Sequence, residues 1–123
     1  MANSKKPIQF GLVYRDMWQS SGKYMPRVDQ LLEVAGPIIE MGCFSRVETN
    51  GGGFEQINLL FGENPNHSVR QWTQPFNDAG IQTHMLERGL NGIRMSPCPV
   101  DVRKMMFRLK KIQGTDIARS FDG

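Results

Sequence analysis

The feature that most constrains this chain is a spacing. Four apolar stretches of strand type begin at residues 8, 44, 81 and 116, in steps of 36, 37 and 35 residues. They are Ile8 to Tyr14, Phe44 to Glu48, Ile81 to Leu86 and Asp116 to Phe121. Helical patterns fill the gaps. From Pro26 to Met41, Val28, Leu31, Leu32, Ala35, Ile38 and Ile39 recur at three-to-four spacing, with Gly42 as a stop and Pro37 as an expected kink. Phe54 to Phe61 reads as a short helix. Ser68 to Asp78 reads as a third, capped by Asn66 or Ser68 and stopped by Gly80. Val100 to Gln113 reads as a fourth, with Val102, Met105, Met106, Leu109 and Ile112 forming its core stripe and Gly114 its end. Strand and helix alternating at this period predict stacked βα units with parallel strands, because parallel pairing needs a crossover and the crossover is right-handed.

Parallel βα units place every strand's carboxyl end on one rim, where chemistry sits in such folds. Charged residues mark the expected strand ends: Arg15-Asp16, Glu48, Glu87-Arg88 and Asp122. A complete (β/α)₈ barrel takes about 250 residues, roughly 31 per unit. The 123 residues hold three whole units and a fourth strand. The expected fold is therefore α/β, the N-terminal half of a TIM barrel over residues 1–123. An open four-stranded parallel sheet has an unpaired strand at each edge and one uncovered face, so a fragment or a self-associating chain is expected.

Composition narrows the function. Hydrophobic residues make up 39% and charged residues 22%, which is globular. The net charge of +3 is small and the basic residues are scattered, so nucleic-acid binding is not expected. No stretch reads as a secretory signal or a membrane span. Cys43 and Cys98 form no CxxC, which fits a reducing cytoplasm and excludes a zinc ribbon. Gly51-Gly52-Gly53 before a helix is weak as a phosphate cradle, and there is no P-loop. His67 reads as a solvated residue of a turn, and His84 as a hydrogen-bonded core residue. The eight methionines read as core filler.

Five short elements then carry a resemblance. Arg15-Asp16-Met17-Trp18-Gln19-Ser20 resembles RDAHQS. Phe44-Ser45-Arg46-Val47-Glu48 with Gly51-Gly52 resembles FSLE-x-x-GG. Glu63-Asn64-Pro65 resembles EDP, Met85 to Asn91 resembles MLLRGxN, and Arg119-Ser120-Phe121-Asp122 resembles RVFD. Their order and spacing hold over residues 8–123, apart from one deletion near Gly53. Together they resemble the biotin-dependent carboxyltransferases: oxaloacetate decarboxylase alpha subunits, the carboxyltransferase domain of pyruvate carboxylase and the 5S subunit of transcarboxylase.

That resemblance implies a metal-dependent carboxyl transfer between a 2-keto acid, oxaloacetate or pyruvate, and biotin on a separate carrier domain. It implies Asp16 as a ligand to a divalent metal (Zn, Mn or Co), and Gln19, Arg88 and Arg15 as substrate-binding residues. An arginine suits a carboxylate because its donors are planar and paired. The competing expectations are a turn-capping Asp16, an Arg88 paired with Glu48 or Glu87, and an Arg15 that holds neighbouring loops together. The resemblance puts the other metal ligands and a proton-shuttling threonine on later strands, so no catalytic residue is expected here, nor tight metal binding or activity by the chain alone. Trp18 stands in place of the family histidine, Met95 of a tyrosine, Glu55 of an aspartate, and Thr49-Asn50 of a hydrophobic-tryptophan pair. A membrane is expected only through partner subunits, and the alternative function is a non-catalytic half-barrel that forms a homo-oligomer or serves in an assembly.

Overall fold

The computed structural model describes residues 6–20 and 25–121, without the side chains of residues 56 and 57. Four strands, β1 (Phe10–Leu12), β2 (Phe44–Gly51), β3 (Gln82–Glu87) and β4 (Ile117–Ser120), form one sheet in sequence order, and every pairing is parallel. The helices are α1 (Tyr14–Ser20), α2 (Val28–Glu40), α3 (Gly52–Leu60), α4 (Pro65–Asp78) and α5 (Val100–Ile112), with a 3₁₀ turn at Gly89–Asn91. The architecture is the expected α/β alternation of parallel units. None of the described helices is long and apolar enough to cross a membrane.

Glycine ends these helices as the sequence suggests. Gly42, Gly80 and Gly114 follow α2, α4 and α5 with φ of +64°, +74° and +94°, a region that a Cβ disfavours. At the other end of α4 the cap is Asn64 rather than Asn66 or Ser68: its side-chain oxygen accepts from Asn66 N–H at 3.0 Å, and Pro65 takes the first helical position. The helix α2 runs through Pro37, which removes one N–H from its ladder.

One face of the sheet is covered. Val47 and Thr83, partners in register, are wholly buried under α2 and α4 with Leu31, Ala35, Ile38, Val69, Trp72 and Phe76. Trp72 and Phe76 meet edge-on at 4.9 Å, and the Trp72 indole N–H donates to the Thr49 carbonyl at 3.0 Å. That carbonyl sits at an irregularity in the β2–β3 ladder between Glu48 and Asn50. The next register pair along from Val47–Thr83 lies the other way: Arg46 and Gln82 are exposed, so the opposite face is open at its lower end.

Three expectations are corrected. The first strand stops at Leu12, and Tyr14 already opens α1, because Arg15 and Gln19, four residues apart, are drawn together towards β2. The side chains of α5 are rotated from the expected core stripe. Val102, Met105, Leu109 and Ile112 are 45%, 56%, 40% and 66% exposed, while Lys110 is buried. The cause is polar: Lys110 pairs with Glu55 of α3 and donates to Gln113, which donates to Asn66 at 2.5 Å. The methionines follow suit, since Met85 is buried but Met17, Met41, Met95 and Met105 are exposed.

Trp72→Ala should cost about 3–5 kcal/mol, since it empties the largest buried side chain and leaves the Thr49 carbonyl unpaired. Urea unfolding should show this as a lower midpoint at an unchanged slope.

Candidate substrate-binding site at the strand ends

The open face of the sheet closes at its upper end around one carboxylate. Glu48 lies within β2, two residues beyond Arg46 and on the same face, in register with His84 of β3. It is not at the strand's end, where the sequence reading puts it, and it has no exposed surface. Three side chains converge on it. Arg15 Nε donates to Glu48 Oε1 at 2.7 Å and its Nη2 completes the ion pair. Arg119 reaches Glu48 Oε2 from β4, and His84 Nδ1 stands 3.8 Å from the same oxygen. Two fixed cations around one buried anion make the burial tolerable, because an unpaired carboxylate here would lose its hydration with nothing in return.

Arg15 distributes the consequences. It is 2% exposed, in the first turn of α1. Besides Glu48 it donates through Nη1 to Gln19 Oε1, one helical turn on, and its Nη2 lies 3.4 Å from Asp16 Oδ1. Arg15 thus ties α1 to β2, as the loop-holding reading expects. The amide oxygen of Gln19 accepts this bond, which orients the carboxamide with its NH₂ group on the other side. Asp16 is 57% exposed on the outer side of the same turn, where a carboxylate also suits the helix N-terminus.

The glycine run belongs to this site. A Cβ on Gly53 would come within 2.2 Å of the Gln19 carboxamide, and one on Gly51 within 3.4 Å of Arg15 Nε. A Cβ on Gly52 would stand 2.4 Å from the Ile93 carbonyl. The three glycines let α1 and the 89–95 loop close onto the end of β2, which is a packing reason and not a phosphate cradle.

Arg88 lies apart from this network. It follows the last residue of β3 with φ −100° and ψ 37°, outside the extended backbone of the strand. Its Nη1 donates to the Arg94 carbonyl at 3.0 Å and contacts the Met95 sulfur. It pairs with neither Glu48 nor Glu87. With Asn91, Met95 and Phe121 it lines a cleft of about 260 Å³. Sequence reasoning gave no substrate or metal role to Glu48 or Arg119: Glu48 was marked as a rim charge and a possible partner of Arg88, and Arg119 only by its place in the RVFD-like element. Asp122 lies outside the described residues. His67 is exposed in the first turn of α4.

Structural and catalytic zinc sites use at least three protein donors. Among the described residues no three His, Cys, Asp or Glu groups are placed to share an ion. Asp16 is a single donor, and the residues present do not make up a metal site.

No family model matches the chain, and no curated protein does. Solved structures do. The carboxyltransferase domain of Rhizobium etli pyruvate carboxylase, with pyruvate or with oxamate and biotin, superposes with a TM-score of 0.80 at 22% identity, over 97% of this chain. The fold is that of the carboxyltransferase TIM barrel. A threonine-to-alanine variant of R. etli pyruvate carboxylase with the allosteric activator acetyl coenzyme A matches equally well, at TM-score 0.80 and 22% identity. This chain spans 20% of the length of the carboxyltransferase domains and 11% of that longer chain.

Glu48→Ala should destabilise the chain by about 3–5 kcal/mol, because it strands the buried Arg15 charge. Arg119→Ala should cost under about 1 kcal/mol, since that side chain is half exposed. Chemical denaturation of both variants checks the contrast.

Burial holds the His84 pKa below its ordinary 6.5; Glu48 opposes the shift, and Arg119, Arg46 and Arg15 add to it. A depressed folded-state pKa means that the unfolded chain binds the proton first. Stability should therefore be full above pH 6.5 and fall as the pH drops below it. In His84→Gln, denaturant midpoints measured between about pH 7 and 5 should decline less steeply than in the parent.

Proposed function

We propose that this chain is the N-terminal part of a biotin-dependent carboxyltransferase barrel that acts on a 2-keto acid, oxaloacetate or pyruvate, and that it is inactive alone. The observation that carries this reading is the Arg15–Gln19 pair anchored on buried Glu48, on a fold shared with a domain solved with pyruvate. In this reading Arg88 binds the substrate carboxylate through its paired donors. Gln19 presents its NH₂ group to a substrate oxygen, and Arg15 acts through Gln19 by holding the amide in that orientation. Asp16, exposed beside them, is one metal donor whose companions come from elsewhere in the barrel. Biotin, on its own carrier domain, delivers or accepts the carboxyl group.

A second reading has its own observation. Phe10, Arg46 and Gln82 are exposed on one sheet face, and β1 and β4 are unpaired edges among the described residues. Such a half-barrel is suited to self-association without catalysis. Light scattering should then give a mass above the 14.0 kDa of one chain, and a monodisperse monomer refutes it.

The substrate reading is tested with oxamate, an unreactive keto-acid mimic. Titrated by NMR, it should bind the chain, and Arg88→Lys should weaken it about tenfold or more without moving the melting temperature. An Arg88→Lys chain that binds oxamate as well as the parent, or melts several degrees lower, assigns Arg88 to structure instead.

A further inference from the structure

The cleft of about 260 Å³ beside Arg88 combines one charge with two apolar walls, Met95 and Phe121, and Asn91 completes it. Backbone bonds set both walls. Arg88 N–H donates to the Gly92 carbonyl at 2.7 Å, and Arg94 N–H to that of Asn91 at 3.0 Å. The chain after β3 therefore turns back on itself and brings the Met95 sulfur to the Arg88 guanidinium. The Asn91 side-chain NH₂ is directed to the Met95 carbonyl, at 3.4 Å. From the end of β4, Phe121 N–H donates to the carbonyl of Glu87 at 3.1 Å, which ties Phe121 to the residue just before Arg88. Met95 and Phe121 are 74% and 42% exposed, so each keeps apolar surface open to an occupant of the cleft.

The Arg94 carbonyl and the Met95 sulfur both meet Arg88 through Nη1, and no other bond to this guanidinium is made among the described residues. Donors therefore remain for one carboxylate. Met95 stands where the resembled family has a tyrosine, so a thioether replaces a phenol in this wall. Neither a thioether nor a phenyl ring can donate a hydrogen bond to a second carboxylate, which would shed water between them with nothing in return. An alkyl group in the same place gains from burial. We propose that the cleft selects a monocarboxylic 2-keto acid whose alkyl chain is longer than the methyl group of pyruvate, and disfavours a dicarboxylic one. Its carboxylate lies on Arg88 and its chain on Met95 and Phe121. This narrows the substrate class of the keto-acid site, and it rests on the reading of Arg88 as the residue that binds the substrate carboxylate.

The test titrates the 123-residue chain by NMR with three unreactive mimics: oxamate, N-propyloxamate, which adds an alkyl chain, and N-oxalylglycine, which adds a second carboxylate. N-propyloxamate should bind about fivefold tighter than oxamate or better, and N-oxalylglycine more weakly than oxamate. The decisive reading is the ratio of N-propyloxamate affinity to oxamate affinity, which should fall towards one in Met95→Ala. If that variant does not fold, Phe121→Ala should lower the same ratio. Oxamate that binds with no gain from the propyl group overturns this inference and leaves the keto-acid reading standing. So does N-oxalylglycine binding more tightly than N-propyloxamate, or a ratio unchanged in Met95→Ala or, where that fails to fold, in Phe121→Ala. A chain that binds none of the three mimics at about 10 mM overturns both.

Discussion

The buried carboxylate of Glu48 is the interaction on which the rest of the site depends. It has no exposed surface and lies on a sheet face that helices do not cover. It can stay there because the buried guanidinium of Arg15 descends from α1, and half-exposed Arg119 crosses from β4 as a second partner. The pairing with Arg15 is the stronger constraint. That guanidinium is itself buried, so neither charge can return to water without unfolding part of the structure. Everything outward of the pair inherits its position. Gln19 is oriented by Arg15, Asp16 shares the turn, and the glycines of residues 51–53 exist at the distances this packing demands. The site is thus a consequence of electrostatics inside the sheet, not of loop chemistry at its rim.

Much of the fold was legible from periodicity. The steps of about 36 residues located four strands, and the glycines after α2, α4 and α5 stopped helices where they do. The failures have physical causes. Tyr14 has good strand propensity, but the pull of Glu48 on Arg15 and of Arg15 on Gln19 favours a helical i, i+4 pair from Tyr14 onward. The apolar stripe of α5 satisfies a helical moment, yet Lys110, Glu55, Gln113 and Asn66 form a connected polar set that turns the helix the other way. Periodicity counts apolar residues; it is blind to a lysine that finds a carboxylate on another helix.

The candidate site was legible only in part, and unevenly. Short elements marked Arg15, Asp16, Gln19 and Arg88, but not that Asp16 sits in a helix or that Arg88 follows β3 in non-extended backbone. Glu48 was visible merely as a charge after an apolar run, because its partners lie 33 and 71 residues away.

The sheet's strand order bears on how the chain reaches this state. Each strand pairs with the one before it in sequence, so every ladder closes a loop of a single βα unit, and assembly can proceed from the N-terminus unit by unit. The Glu48–Arg119 contact spans 71 residues and skips β3. It can form only after the fourth strand has docked. Without it Glu48 has Arg15 alone as a fixed cation, a pair already neutral in charge, to which Arg119 adds a second, half-exposed donor. A strand two places away in the sheet therefore contributes to the electrostatics of the second.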